Sequence, residues 1–408
     1  MRRVVVTGMG IWSSIGQDLQ TVSENLKQGK SGIIHDSSWL DYGLQSGLVG
    51  AVPRPDLKPY LSRRTRQMMS VDSEYAYMAS RQAFGQAGVS DDYLQQSEVG
   101  IIFGNDGNSN QIEYDRIMEQ EHCSALIGYN AIFRSITSSA VLNMSSIFHL
   151  RGINLTVGAA CASSSHAIGI ASMFIREGLQ DMILVGGSSE ISKNGVGTIV
   201  NDALYQDICF NDCPEKASRP FDRDAIGCIP TGGAAALVLE EYEHAKTRGA
   251  TILAEVVGYG FAGGGTEELY LPYWKAEYTS MCRALRNANL SLSDISMVHA
   301  RAESFPLSDQ AEAIALSRLC GDNSVPITST DSMTGHGGWM AGASRAVYSI
   351  LMMRNGFIAP TINLDNPIEE AQNMNIIHEL KKSSIETILL NTAGIGGSYA
   401  ALVLKNTD

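Results

Sequence analysis

The stretch "VVVTGMG" at residues 4–10 has no polar alternation, so it reads as a strand buried on both faces that ends in a glycine turn. After about residue 250 the chain makes what looks like a second pass through the same plan. "ILAEVVGYG" at 252–260 has the make-up of the opening strand, "YTSMCRALRNANL" is an amphipathic helix, "ISMVHARAE" a strand, and "ETILLNTAGIGGSYAALVLK" a strand, a glycine turn and a strand. In the first half, helical stretches near 16–29, 65–87 and 110–120 alternate with apolar runs such as "VGIIFG" at 99–104 and "MILVGGSSE" at 182–190. Strands that alternate with helices imply a layered α/β fold. No Pro/Gly/Ser linker interrupts the chain, so the two halves, 1–250 and 251–408, are expected to form one compact unit with internal pseudo-symmetry.

Composition narrows the function classes. The chain has 408 residues, 44% hydrophobic and 18% charged, enough for a large core in one or two packed domains. A net charge of −13 argues against nucleic acid as a bulk partner. No run approaches the roughly 18 apolar residues of a membrane span, and "MRRVVVTGMG" lacks the features of a secretory signal, so the expected setting is cytoplasmic. Seven scattered cysteines, with only Cys209 and Cys213 close together, complete no zinc pattern and read as reduced thiols; no metal site is expected. The glycine turns "GNDGN" and "GGG" carry no phosphate-binding signature, so no organic cofactor is expected either. The densest basic patch is "LSRRTRQ", with Arg63, Arg64 and Arg66; it reads as a solvated face or a docking site for an acidic partner.

"TVGAACASSSHAIG" at 156–169 sets Cys161 among small residues where a strand breaks and a helix restarts. The positive end of a helix stabilises a thiolate, the form in which cysteine is a nucleophile. Small neighbours would let a carbonyl approach, and local backbone N–H groups could hold an oxyanion. His166, on the helix that follows, reads as a packing residue.

Beyond these residues, "VVVTGMGIWSSIG", "TVGAACASSSHAIG", "SRPFDRDAIG", "SMTGHGGWMAGAS", "PTINLDNP" and "NTAGIGGSYAALVLK" occur in the order seen in β-ketoacyl-[acyl carrier protein] synthases of the elongating type, which the chain resembles over essentially its whole length. The resemblance implies a thiolase fold, five αβαβα layers built from two similar halves, working as a dimer. It also implies a cysteine that takes an acyl chain from acyl carrier protein, and two histidines that support decarboxylation of a malonyl unit and condensation. Residue by residue, it makes Cys161 the nucleophile and His336 the second histidine.

The chain departs from that pattern at the first histidine. The block written close to "NAHGTSTP" in the family reads "HARAESFP" here, which puts Arg301 at the histidine position. The lysine expected before "SMTGH" is Asp331, and Glu312, its acidic partner position, lacks that cation. Ala225, Cys228 and Thr231 replace an arginine, a phenylalanine and a glycine, while Ala393 and Ile395 stand where two phenylalanines belong, the second of which gates the pocket. Arginine donates hydrogen bonds but stays protonated and cannot act as a base. Reversing the charge at Asp331 should favour imidazolium at His336. His299 lies two residues from Arg301 on a predicted strand and shares its face; it reads as a packed strand residue, with a substitute for the missing imidazole as the alternative.

Two functions fit this pattern. One is a chain-length-factor-like subunit of fatty-acid or polyketide (including polyene) biosynthesis, pairing as a heterodimer with an active ketosynthase subunit and shaping its acyl tunnel. The other is an active synthase or acyltransferase, a transferase working as a homodimer, that forms an acyl-thioester on Cys161 with modified machinery. For the first, the resemblance places "GYNAIFRSI" at 128–136 across a dimer interface, with Phe133 as a tunnel residue; for either, the charges of Arg63, Arg64 and Arg66 make them candidates for docking an acidic carrier protein.

Overall fold

The computed structural model describes residues 2–107, 109–195, 210–265, 268–321 and 325–407. Cys209, one of the close cysteine pair, lies outside the described residues. Ten strands join one hydrogen-bonded sheet: β1 (Val4–Trp12), β2 (Gly100–Gly104), β3 (Asn154–Val157), β4 (Met182–Ser189), β5 (Gly233–Glu241), β6 (Ala254–Gly263), β7 (Met297–His299), β8 (Ile327–Thr328), β9 (Thr387–Gly394) and β10 (Ser398–Lys405). Their order is β8-β7-β9-β10-β6-β1-β5-β4-β2-β3. At the centre β1 and β6 pair only through Val5 with Glu255 and Val6 with Ala254, so the sheet is two five-stranded halves joined at a narrow seam.

Outward from the seam each half repeats the same directions. β1/β5 and β5/β4 are antiparallel, then β4/β2 and β2/β3 parallel. β6/β10 and β10/β9 are antiparallel, then β9/β7 and β7/β8 parallel. The expected internal pseudo-symmetry is therefore present in the topology.

Four of the longer helices among the described residues mark the layers: α1 (Val71–Ala87), α2 (Ser163–Arg176), α3 (Trp274–Ala288) and α4 (Ala341–Asn355). α1 packs on β1 and β5, and α3 packs on β6 and β10, one outside each half. α2 and α4 touch each other between the halves, which gives five layers, αβαβα. In α4 every residue from Ala341 to Met353 is buried, as expected of a helix covered on all sides.

The paired glycines of the two opening strands explain why the outer helices sit so close. A Cβ on Gly8 or Gly10 would lie 2.1 or 2.0 Å from the carbonyl oxygens of Ala83 and Ala79 in α1. On Gly258 or Gly260 it would lie 2.4 or 2.1 Å from those of Ala284 and Ser280 in α3. Only glycine permits this approach. The helix expected over 65–87 is interrupted: a short turn of helix at Arg63–Arg66 precedes α1, which starts at Val71. Those expected at 16–29 and 110–120 appear as Leu19–Gln28, capped by Asp18, and Asn110–Glu121.

Candidate functional site

Cys161 lies where β3 gives way to α2, inside a short 3-10 turn, Ala160–Ala162, that leads into the helix. Ala160 takes a left-handed backbone, φ 47°, which costs energy in a non-glycine residue and must be held in place. Asp106, just past β2, accepts the Ala160 N–H at 2.8 Å. Ser163 Oγ accepts the Ala159 N–H at 2.8 Å and donates to the Ala160 carbonyl at 2.5 Å. These bonds set the thiol at the positive end of α2, where negative charge on sulfur is favoured.

His336 comes from the corresponding place in the other half, between β8 and α4. Its Nε2 is 2.9 Å from Cys161 Sγ. Its Nδ1 faces two carboxylates, Glu303 Oε2 at 3.1 Å and Asp331 Oδ2 at 3.5 Å. Burial alone would pull the imidazole pKa down, but the charge on Cys161 and the carboxylates of Glu303 and Asp331 outweigh it and hold the ring well above its ordinary value. Asp331 itself is gripped by Arg345, with Nη2 donating to Oδ2 at 2.6 Å and Nε to Oδ1 at 3.2 Å. The acid in the lysine position therefore brings its own cation from α4.

Arg301 is 2% exposed and its guanidinium is fully engaged. Nε donates to Glu277 Oε1 at 2.8 Å, Nη1 to Glu303 Oε1 at 3.1 Å and to Ser308 Oγ, and Nη2 to the Ser308 carbonyl at 2.9 Å. Glu312 accepts the Arg301 and Ala302 N–H groups at 2.8 and 2.6 Å and the Asn391 amide at 2.7 Å. Burial, with Glu277 nearby, pushes its carboxyl up to about 7. Asp309 accepts the N–H groups of Glu303 and Ser304, and burial pushes it up to about 8. Glu303, by contrast, is held below the usual carboxylate range: burial works against it, and His336, Arg301 and Arg345 overcome that.

His299 is not brought to the thiol. It is fully buried, with Nδ1 bonded to Ser349 in α4 at 2.8 Å and Nε2 to Thr330 at 3.0 Å, and burial drops its pKa to about 3. β7 ends at His299, so the period-2 rule that would align it with Arg301 stops applying there. It is a neutral strut between β7 and α4, the packed strand residue of the first reading, which rules out the alternative that it substitutes for the missing imidazole. His166 bonds Tyr259 Oη at 2.6 Å and Ser398 Oγ at 2.9 Å, a packing position.

A cavity of about 360 Å³ opens onto the pair; Cys161, His336, Arg301, Glu303, Cys228, Ala393 and Ile395 are among its lining residues. Ile395 is 56% exposed at its rim. Phe133 lies elsewhere, exposed on the short helix Ala131–Ser135 beside exposed Tyr129 and Ile132, and does not line this cavity. Arg63 and Arg64 are exposed and Arg66 half-buried; Arg63 and Arg66 border a shallow depression with Arg54 and Lys58. Among the described residues, no helix is long and apolar enough to cross a membrane, and no group of three or more His, Cys, Asp or Glu is placed to hold a metal.

Sequence reasoning missed Glu303, Glu277 and Arg345. Glu303 stood in view within "HARAESFP", a charge where the family pattern has a small hydroxyl residue, and that alone could have marked it. Glu277 and Arg345 lie on distant helices in otherwise ordinary contexts, with no local signal.

Residues 1–245 match the beta-ketoacyl synthase N-terminal domain model and residues 253–365 the C-terminal one. The chain is 34% identical to 3-oxoacyl-[acyl-carrier-protein] synthase 1 of Haemophilus influenzae over 408 residues, covering 99% of both chains. A crystal structure of a beta-ketoacyl synthase from Burkholderia phymatum superposes with a TM-score of 0.94 at 32% identity, all of both chains covered. AntDE:AntF (apo), a type II PKS acyl-carrier protein in complex with its ketosynthase bound to the hexaketide, superposes at 0.86 with 26% identity, again over the whole of both chains. With two consecutive family models matched and full-length relatives about a third identical, the chain belongs to the β-ketoacyl synthase family, on a thiolase fold.

Proposed function

We propose that this protein takes an acyl group from acyl carrier protein onto Cys161, does not by itself carry out decarboxylative condensation, and acts as a chain-length-factor-like subunit beside an active ketosynthase. The observation that carries this reading is the state of Arg301. It stands in the family position of a histidine that assists decarboxylation, and its guanidinium is committed to Glu277, Glu303 and Ser308. Permanently protonated, it cannot exchange a proton with a reacting malonyl unit. Losing one donor to a developing oxyanion costs about 2.7–4 kcal/mol, or about 10²–10³ in rate.

The other half of the chemistry is supported by the 2.9 Å contact of Cys161 and His336, a nucleophile and a proton carrier within reach of one another. The same contact, with full-length relatives that are 3-oxoacyl-[acyl-carrier-protein] synthases, favours a second reading, an autonomous synthase or acyltransferase working as a homodimer. Arg63, Arg64 and Arg66 are proposed to dock the carrier protein, and exposed Phe133 to reach the partner subunit's tunnel.

Mass spectrometry of the protein, quenched early after mixing with acyl-loaded carrier protein, should show one acyl adduct on Cys161. Addition of malonyl-loaded carrier protein should yield β-ketoacyl product only when a ketosynthase bearing both histidines is also present. Product from this protein alone would establish the second reading.

A further inference from the structure

The reading above uses Glu303 only as a partner of Arg301, although this carboxylate also faces the histidine at 3.1 Å. We infer that Glu303 is a positioning residue that makes His336 a general base, so that the site hydrolyses acyl thioesters, passing the acyl group from the carrier thiol to Cys161 and from there to water. This rests on the reading that Cys161 is acylated.

The argument turns on which imidazole nitrogen carries the proton, and that is set by the partner of the other nitrogen. Nδ1 faces Glu303 and Asp331, and ionised carboxylates only accept hydrogen bonds. Nδ1 therefore carries hydrogen in every state of the ring. When the ring is neutral, Nε2, 2.9 Å from Sγ, presents a lone pair. Such a ring takes a proton from water but has none to offer an oxyanion. A condensing site asks for the opposite, a neutral imidazole that donates. The arrangement resembles the acid, histidine and nucleophile order of a hydrolytic triad.

Glu303 is not free to turn away. Its Oε1 accepts from Arg301 Nη1 at 3.1 Å and from Ser308 Oγ at 2.9 Å, which leaves Oε2 aimed at the ring. Asp309 takes the backbone N–H of Glu303 at 2.9 Å and fixes the loop. Arg301 is in turn anchored by Glu277. The arginine in the histidine's position thus works as the clamp on the carboxylate.

In the first step Cys161 sulfur attacks the thioester carbonyl. The bond from that carbon to the carrier sulfur breaks, and the Nε2 proton of imidazolium passes to the departing thiol. In the second, water attacks the acyl carbon and gives a proton to Nε2. The bond to Cys161 sulfur then breaks, which frees the carboxylic acid and restores thiolate and imidazolium. The groups that set the pH response of the ring are Cys161, Glu303 and Asp331, with Arg301 and Arg345 behind the two acids.

The experiment follows free acid and the Cys161 adduct together, by mass spectrometry, with octanoyl-pantetheine as probe so that carrier docking plays no part. The wild type should release octanoate catalytically and Cys161→Ala should not. Glu303→Gln should still acylate but lose about 10²-fold in deacylation, so that the adduct accumulates. Its rate should rise with pH from a lower point than the wild type, because an anion beside the ring has been removed. Glu303→Asp should recover part of the rate, and melting curves of both variants report whether they fold. An adduct on the wild type that persists as long as a free acyl thioester in buffer would overturn hydrolysis and leave the acylation reading standing. Glu303 variants that release acid as fast as the wild type would overturn the role of Glu303. If no adduct forms and no acid is released, the acylation reading falls and takes this inference with it.

Discussion

The two halves of the molecule share a topology and differ in what they place at its equivalent points. The N–H of Asn105 bonds the Val157 carbonyl at 3.1 Å, and that of Ala300 bonds the Thr328 carbonyl at 2.9 Å, so the segments that follow β2 and β7 correspond. One residue further on, the first half has Asp106 and the second has Arg301. Asp106 pins the backbone of the nucleophile turn with a single bond. Arg301 sits inside a buried cluster with Glu277, Glu303, Glu312, Asp309, Asp331 and Arg345 close by. The first half therefore supplies a rigid turn built from small residues, while the second supplies electrostatics. A shared fold constrains backbone positions and leaves the charge pattern free to differ, because helix and sheet hydrogen bonds do not depend on the side chains at strand ends.

The comparison breaks most visibly if Arg301 is removed. Arg301→Ala leaves Glu277 buried without its cation and Glu303 with only His336 and Arg345, and the expected loss is about 3–5 kcal/mol in chemical denaturation. Asp106→Ala, at the matching point of the first half, should cost much less, since only one hydrogen bond is lost. Equal costs would mean that the charged cluster is no more critical to the fold than its counterpart.

Where the halves are alike, equivalent changes should act alike. Gly10→Ala and Gly260→Ala each force a Cβ to about 2 Å from a helix carbonyl, and each should destabilise by about 1–3 kcal/mol through displacement of α1 or α3. A difference of more than about 1 kcal/mol between them would show that one outer helix is less firmly packed; differences of that size are resolved by denaturation.

The pH response should be larger in the second half, although in the first half burial pushes the Asp72 carboxyl up to about 7 and raises that of Glu190. Asp309 at about 8 and Glu312 at about 7 lie above the unfolded carboxyl value near 4, so the folded chain keeps protons that the unfolded chain has released. Stability from these two groups therefore falls as pH rises from about 4 to about 8. His336, also raised, contributes fully below about 6.5 and loses its contribution as pH rises through its folded value. The melting temperature should drop between pH 6 and 9, and Asp309→Asn should flatten the drop. A melting temperature indifferent to pH over that range would contradict the assignment.

The smallest effect is expected at the surface. Replacing Arg63, Arg64 and Arg66 with alanine should leave stability within about 1 kcal/mol, raise the KM for loaded carrier protein, and reduce its dependence on salt. An unchanged KM would remove this patch from the docking surface.

Much of the fold was legible in order. Apolar runs without alternation marked the strands, and the second pass of strand and helix patterns after about residue 250 marked the pseudo-symmetry; that the glycines at 8, 10, 258 and 260 each meet a helix backbone emerged only from the structure. Cys161 and His336 were legible because each sits in a local pattern, the small-residue turn and the "SMTGH" block. His299 was legible as a packed strand residue, and its alternative role at the site failed because it extended strand periodicity past the last residue of β7.

What the chain by itself determined is the layered architecture, the turn that presents the thiol and the absence of one imidazole, since these follow from periodicity and from residue identity at single positions. Only the tertiary structure decided what the replacement does. The partners of Arg301, Asp331 and His336 come from residues 277, 303, 308 and 345, some on helices far along the chain, and an ion pair depends on where side chains point at distances of a few ångströms. Sequence separation carries no record of that direction once a residue leaves a regular strand.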